Sequence, residues 1–311
     1  MAKNLYTSNA RFVFELLQNA DDNHYTTARA AGQEPFVSFS LHPGKIVVDC
    51  NEDGFTERNL RAICDIGNSS KTESQGYIGE KGIGFKSVFM AAWKVHIQSE
   101  YFSFSFTHRK GDSGMGMVKP VWEETTEVLP HPHTRITLFL HGDQGVAQAK
   151  RDRENIRKQF QELEPALLLF VRKLRRIDVS FYDDNDQQEW ATRLAIRNAA
   201  DANRVILERR IANARGLDNV VPESHIYHVT RHMATNIARS ENRTLSTSEE
   251  ATKSYAKSEI VLAFPVTDQS VPIIQAQKVF AFLPMRQMGF NVRGTPARHL
   301  RLLLTHCIYS S

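Results

Sequence analysis

Near the start of the chain, apolar residues recur at helical spacing. Phe12, Leu16 and Leu17, with Val13 and Ala20, form one stripe and predict a helix over residues 10–31 that Ser8 or Asn9 can cap. The period then changes to two. Alternation over residues 37–41 and 45–50 predicts two strands around the turn His42-Pro43-Gly44. Thr56 is placed to cap a short helix through Ile63, and the polar, small-residue stretch 66–75 reads as a mobile lid. Alternation returns at 94–98, 101–107 and 135–140, predicting an antiparallel sheet. A long helix is expected over 152–176, with Ile156, Phe160, Leu163, Leu167, Phe170 and Leu174 on one face and an interruption near Pro165. Strands at 177–182, 204–209, 226–233, 260–265 and 278–283, separated by long polar loops, predict a second, β-rich domain in which 234–258 is flexible. From Gly294 the strand-and-loop rhythm stops, so the C-terminus reads as that of a fragment or of an altered gene model.

Between the two groups of strands, residues 76–89 carry four glycines, Gly76, Gly79, Gly82 and Gly84, ahead of an apolar helix start at Phe85. A glycine loop feeding a helix N-terminus presents backbone amides to an anion, and Lys81 and Lys86 add cationic donors, so a polyphosphate is the natural guest. A P-loop is a near miss, because Phe85 intrudes before Lys86-Ser87. A dinucleotide fingerprint would need glycine where Ser87 stands. On the first helix, Glu15 and Asn19 are one turn apart, with Asp22 one turn further. Glu15 lies among apolar neighbours, which suits a partly buried acid or base. The cluster Asn51-Glu52-Asp53-Gly54-Phe55, directly after a strand, is where a sheet hands residues to a site. His131 and His133 read as loop histidines, since metal binding would need partners that the sequence does not display.

Composition narrows the setting. A chain of 311 residues, 41% hydrophobic and 24% charged, has room for two globular domains. A net charge of +4 with dispersed basic residues does not indicate nucleic acid. Cys50, Cys64 and Cys307 are scattered and odd in number, which suits a reducing, intracellular compartment, and no apolar run reaches membrane-spanning length.

Taken together, these blocks resemble the ATP-binding domain of the GHKL superfamily, the Bergerat fold of gyrase, the heat-shock chaperone ATPase, MutL and the histidine kinases. The motifs are Glu15-x-x-x-Asn19, an acidic residue and glycine after a strand, a lid, Gly79-x-x-Gly82-x-Gly84 with Phe85 behind it, and Thr134 in Thr-Arg-Ile-Thr-Leu. Within that superfamily the chain is similar to the sacsin and NO VEIN-like group. The resemblance implies an α+β Bergerat sandwich over 1–145, with helices on one face of a mixed, mainly antiparallel sheet. A connecting helix at 146–176 and a smaller β-rich, transducer-like region at 177–311 would follow. It implies ATP and Mg²⁺ as ligands, Glu15 as the base that polarises water, and Asn19 as the metal residue. Asp22, Lys71, Ile78, Gly79, Lys81, Gly82, Ile83, Gly84, Phe85, Lys86 and Thr134 would form the nucleotide site. Gly54 and one of Asp49, Asn51 or Asp53 would meet adenine, with that choice open, because the usual Asp-x-Gly-x-Gly is here Asn51-Glu52-Asp53-Gly54-Phe55. His133 stands where a glycine normally precedes the threonine. Lys278 and Arg286 are transducer candidates by position. The implied activity is slow ATP hydrolysis whose lid closure drives a chaperone or remodelling role. The alternative is a non-hydrolysing nucleotide-binding scaffold.

Overall fold

The alternating segments assemble into one large sheet in the computed structural model, which describes residues 11–64, 85–108, 120–124, 127–142, 145–201, 203–213, 216–235, 257–274, 276–281 and 283–291. Helices α1 (Arg11–Asp22) and α2 (Thr26–Ala30) precede strands β1 (Phe36–Leu41) and β2 (Lys45–Cys50) and helix α3 (Glu57–Cys64). A 3-10 turn (Lys86–Met90) leads into β3 (Ala92–Ser99), β4 (Phe102–Thr107), β5 (Val121–Trp122) and β6 (Thr134–Leu140). Helix α4 (Val146–Gln161) and a second 3-10 turn (Pro165–Leu169) are followed by β7 (Arg176–Tyr182), β8 (Gln188–Asn198), β9 (Arg204–Ala212), β10 (Glu223–Thr235) and β11 (Lys257–Val266). Strands β12 (Ala276–Ala281) and β13 (Leu283–Asn291) form a separate two-stranded sheet.

The main sheet has eleven strands in the order β11-β10-β9-β8-β7-β1-β2-β6-β3-β4-β5. Its hinge is the parallel pairing of β1 with β7, in register from Phe36↔Arg176 to Leu41↔Phe181; the other ladders among the described residues are antiparallel. This overturns the expected helix-covered α/β sandwich followed by a smaller β-rich domain. Strand dominates and helices are few among the described residues. The physical reason lies at β1. Its outer N–H and C=O groups would form an open edge in a self-contained first half, and β7 satisfies them, after which β8 to β11 continue the same ladder.

Alternation then sorts the two faces. Val37, Phe39 and Leu41 of β1 and Ile177, Val179 and Phe181 of β7 are buried in a cluster with Phe12, Leu16 and Leu17 of α1 and Phe160 of α4. Phe39 and Phe160 pack with ring centroids 4.9 Å apart. The opposite face carries ion pairs across the strands, Asp49 with Arg135, Asp178 with Arg193, and Glu208 with Arg197. No described helix is long and apolar enough to cross a membrane.

Three local expectations change. The helix expected over 10–31 breaks at 23–25, because side chains take both broken ends. Tyr25 Oη donates to the Ala20 carbonyl at 2.7 Å, while Asp53 accepts the Thr26 and Thr27 amides at 2.9 and 2.8 Å and restarts the chain as α2. The helix expected over 152–176 occupies Val146–Gln161. Glu164 is extended before Pro165, as the ring demands, and the chain continues as a 3-10 turn and then a strand. Residues 188–198, assigned to a loop, are β8. Thr192, Leu194 and Ile196 face the core while Arg193 and Arg197 do not, and alanines at 191 and 195 weaken an alternation that the flanking strands make decisive.

Candidate functional site

The central strands turn three apolar side chains toward α1, Val37 of β1, Val48 of β2 and Ile136 of β6. They floor a cleft of about 820 Å³, its open mouth included. Leu16, Asn19, Ala20, Asp22 and Asn23 from the end of α1 form one wall, with Phe55, Asn59, Ile63 and Phe85 around the rest. Helix α3 is set beside it by a reciprocal cap. The Thr56 amide donates to Asn59 Oδ1 at 2.8 Å and the Asn59 amide to Thr56 Oγ1 at 3.3 Å.

Cys50, the last residue of β2, pairs with Thr134, the first of β6, so the loop 51–55 leaves the sheet directly beside Thr134. Here Glu52 is buried, 4% exposed, and lines the cleft. It accepts from Thr134 Oγ1 at 2.6 Å. The Thr134 proton being used, the Ser99 hydroxyl donates to Thr134 at 2.5 Å, and Ser99 Oγ accepts the Phe55 amide at 2.8 Å. Three donors thus point in series at one carboxylate. Burial pushes Glu52 up to about 7, helped by the charges of Asp53 and Glu100 and opposed by the Thr134 and Gly54 hydrogen bonds. A carboxylate poised near neutrality beside an apolar floor is suited to accept a hydrogen bond from a ligand.

Gly54 makes this loop possible. Its φ is +90°, and a Cβ there would overlap the Glu100 side chain, which also holds His131 Nδ1 at 3.0 Å. Gly54→Ala is expected to cost about 2 kcal/mol from backbone strain alone. Urea unfolding measures the total cost, and adding Glu100→Ala should remove the part due to the overlap while leaving the strain in φ.

The structure separates the sequence candidates. Asn19, Asp22, Phe85 and Thr134 meet at the cleft. Glu15 stands one turn before Asn19, half-buried, outside the lining formed by the described residues. The three adenine candidates have other partners. Asp49 is bonded by His133 Nε2 at 2.8 Å and Arg135 Nε at 2.7 Å, and although burial raises its pKa, these bonds hold it below the usual value. Asn51 accepts the Phe36 amide at 2.8 Å and donates to the Glu34 carbonyl at 3.0 Å, tying the end of β2 to the start of β1. Asp53 caps α2. Of the carboxylates at 49, 52 and 53, Glu52 is the one that lines the cleft, and the sequence alone did not single it out. Its signal was present, since Glu52 and not Asp53 stands two residues before the glycine. Lys71, Ile78, Gly79, Lys81, Gly82, Ile83 and Gly84 lie outside the described residues, as does Cys307. Lys86 begins the 3-10 turn after Phe85, and Lys278 and Arg286 lie on β12 and β13.

Cys50 also lines the cleft, with its thiol 3.0 Å from Tyr25 Oη and pushed well up by burial, so it is an inert wall. Among the described residues no group of three or more His, Cys, Asp or Glu could hold a metal ion. A metal here would need oxygens from a ligand as well as from Asn19 and its neighbours.

No protein-family model matches the chain. It is similar to Protein NO VEIN of Arabidopsis thaliana, 37% identical over 194 residues that make up 57% of this chain and 7% of that protein.

Proposed function

We propose that the cleft binds ATP with Mg²⁺ and that this chain is an ATP-binding, slowly hydrolysing unit of a larger chaperone-like or remodelling protein. One observation carries the reading. The buried Glu52–Thr134 pair and the oxygen donors of α1, Asn19 and Asp22, share one cleft over an apolar floor. Val48, Ile136 and Phe85 offer a surface for a flat base, and Glu52 retains acceptor capacity for an exocyclic amino group. The amide oxygen of Asn19 and the carboxylate of Asp22 are hard donors that suit Mg²⁺ carried in by phosphates, where the ion would neutralise their charge. The likeness to Protein NO VEIN agrees with the group that the motifs resemble.

Calorimetric titration with ATP and Mg²⁺ tests this. Binding should depend on Mg²⁺, and Asn19→Ala should weaken it more than about tenfold. Unchanged affinity in the variant, or no binding to the unsubstituted protein, would reject the assignment. The place of Glu15 outside the described lining favours a second reading, a scaffold that binds ATP without cleaving it. Phosphate release under saturating ATP distinguishes the two.

A further inference from the structure

Helix α1 ends in Asp21 and Asp22, where carboxylates oppose the helix dipole, so something must compensate them. For Asp21, 2% exposed, the compensation comes from the second half of the chain. Its Oδ1 accepts the amides of Arg172, Lys173 and Leu174 at 3.0, 2.7 and 3.0 Å, and its Oδ2 accepts that of Arg172 at 2.9 Å. Three consecutive amides converging on one carboxylate form a strong anion nest. The contact is reciprocal. Lys173 Nζ donates to the carbonyls of Asp22 and Asn23 at 2.7 and 2.6 Å, satisfying acceptors that the helix end leaves open. Neither Asp21 nor residues 172–174 line the cleft, whereas Asn19, Ala20, Asp22 and Asn23 do. Leu174 stands two residues before β7, whose partner β1 supplies Val37 to the cleft floor.

We propose that Asp21 is a positioning residue for the cleft. Through it, the ligand-facing end of α1 takes its place from residues 172–174, and ligand occupancy and the order of that segment are linked in both directions. The inference rests on the nucleotide reading above. A ligand held by the last turn of α1 stabilises the clamp behind it, and by reciprocity loosening the clamp weakens the ligand. Segment 172–174 is then where the state of the cleft reaches β7 to β11.

The test is hydrogen exchange on the full chain, with and without ADP and Mg²⁺, paired with calorimetry. In the unsubstituted protein the ligand should slow exchange of the 172–174 amides about tenfold, within the usual range of a coupling between sites. Asp21→Ala should abolish that response and weaken ADP about tenfold, while the amides of β1 and β2 keep their protection. Asp21→Asn keeps the Oδ1 acceptor without the charge and should fall between. If Asp21→Ala does not fold, Lys173→Met carries the test, since it keeps the apolar stem, removes the ammonium that donates to both carbonyls and should lose part of the response. Ligand-induced protection around Asn19 and Glu52 with none at 172–174, or wild-type behaviour in Lys173→Met, overturns the proposal. No protection anywhere, the cleft included, overturns the nucleotide reading and this proposal with it.

Discussion

Glu52→Ala is expected to weaken ATP binding by roughly 10- to 100-fold, the scale of a lost hydrogen bond to a buried charge. The loss has two parts. The base's amino group forfeits its acceptor, and the Thr134 hydroxyl is left without one at the cleft wall. The same residue gives binding a pH dependence of predictable sign. An amino donor is held more strongly by the ionised carboxylate than by the acid, and Glu52 is pushed up to about 7. Affinity should therefore be highest above pH 7 and fall below it, approaching about tenfold per pH unit if the ligand strongly lowers that pKa. Stability of the free protein runs the other way. The folded pKa lies above the ordinary 4.5, so the protonated form is favoured by folding. That contribution is complete below pH 4.5 and is lost as pH rises through 7, amounting to about 3 kcal/mol. Glu52→Gln should flatten both profiles. Calorimetry between pH 6 and 8 and urea unfolding at pH 5 and 8 read them, and profiles unchanged in Glu52→Gln would remove this residue as their source.

The second large effect is expected at Glu15. If this carboxylate orients the attacking water, Glu15→Ala should slow phosphate release about 100-fold, the usual scale for a lost general base, with affinity changed less than about threefold. Single-turnover assays and equilibrium binding on the same samples separate the two quantities. Equal rates in the two proteins would take Glu15 out of the chemistry, and loss of binding would make it a support of the α1 wall.

The cleft joins residues that local motifs single out with one that only the fold turns inward. Asn19, Asp22, Phe85 and Thr134, which stand out in the sequence by residue type and spacing, line one cleft. Glu52 does not stand out in the same way. Three polar residues surround it, and the choice among neighbours depends on which side chain the loop turns inward. Gly54, with its φ of +90°, and the Phe55–Ser99 hydrogen bond settle that turn, and the second involves a residue on β3. Asp21 left only an indirect trace, an acidic helix end without a visible compensating cation nearby in sequence.

Local periodicity by itself determined most of the strands, the first turns of α1, the cap of α3 and the break at Pro165, because each depends on side-chain spacing and backbone chemistry within a few residues. It also determined the single buried face that β1 and β7 share. What only the tertiary structure decided is how those pieces are joined. The parallel ladder between β1 and β7 makes one eleven-stranded sheet where two units were expected, since hydrogen-bonding edges carry no residue code and pair with whatever strand the rest of the fold delivers. The end of α1 is likewise settled by partners outside the helix, because a helix stops where its open carbonyls find better company: Lys173, 150 or more residues away, takes those of Asp22 and Asn23, and Tyr25 takes that of Ala20, while Asp53 starts α2.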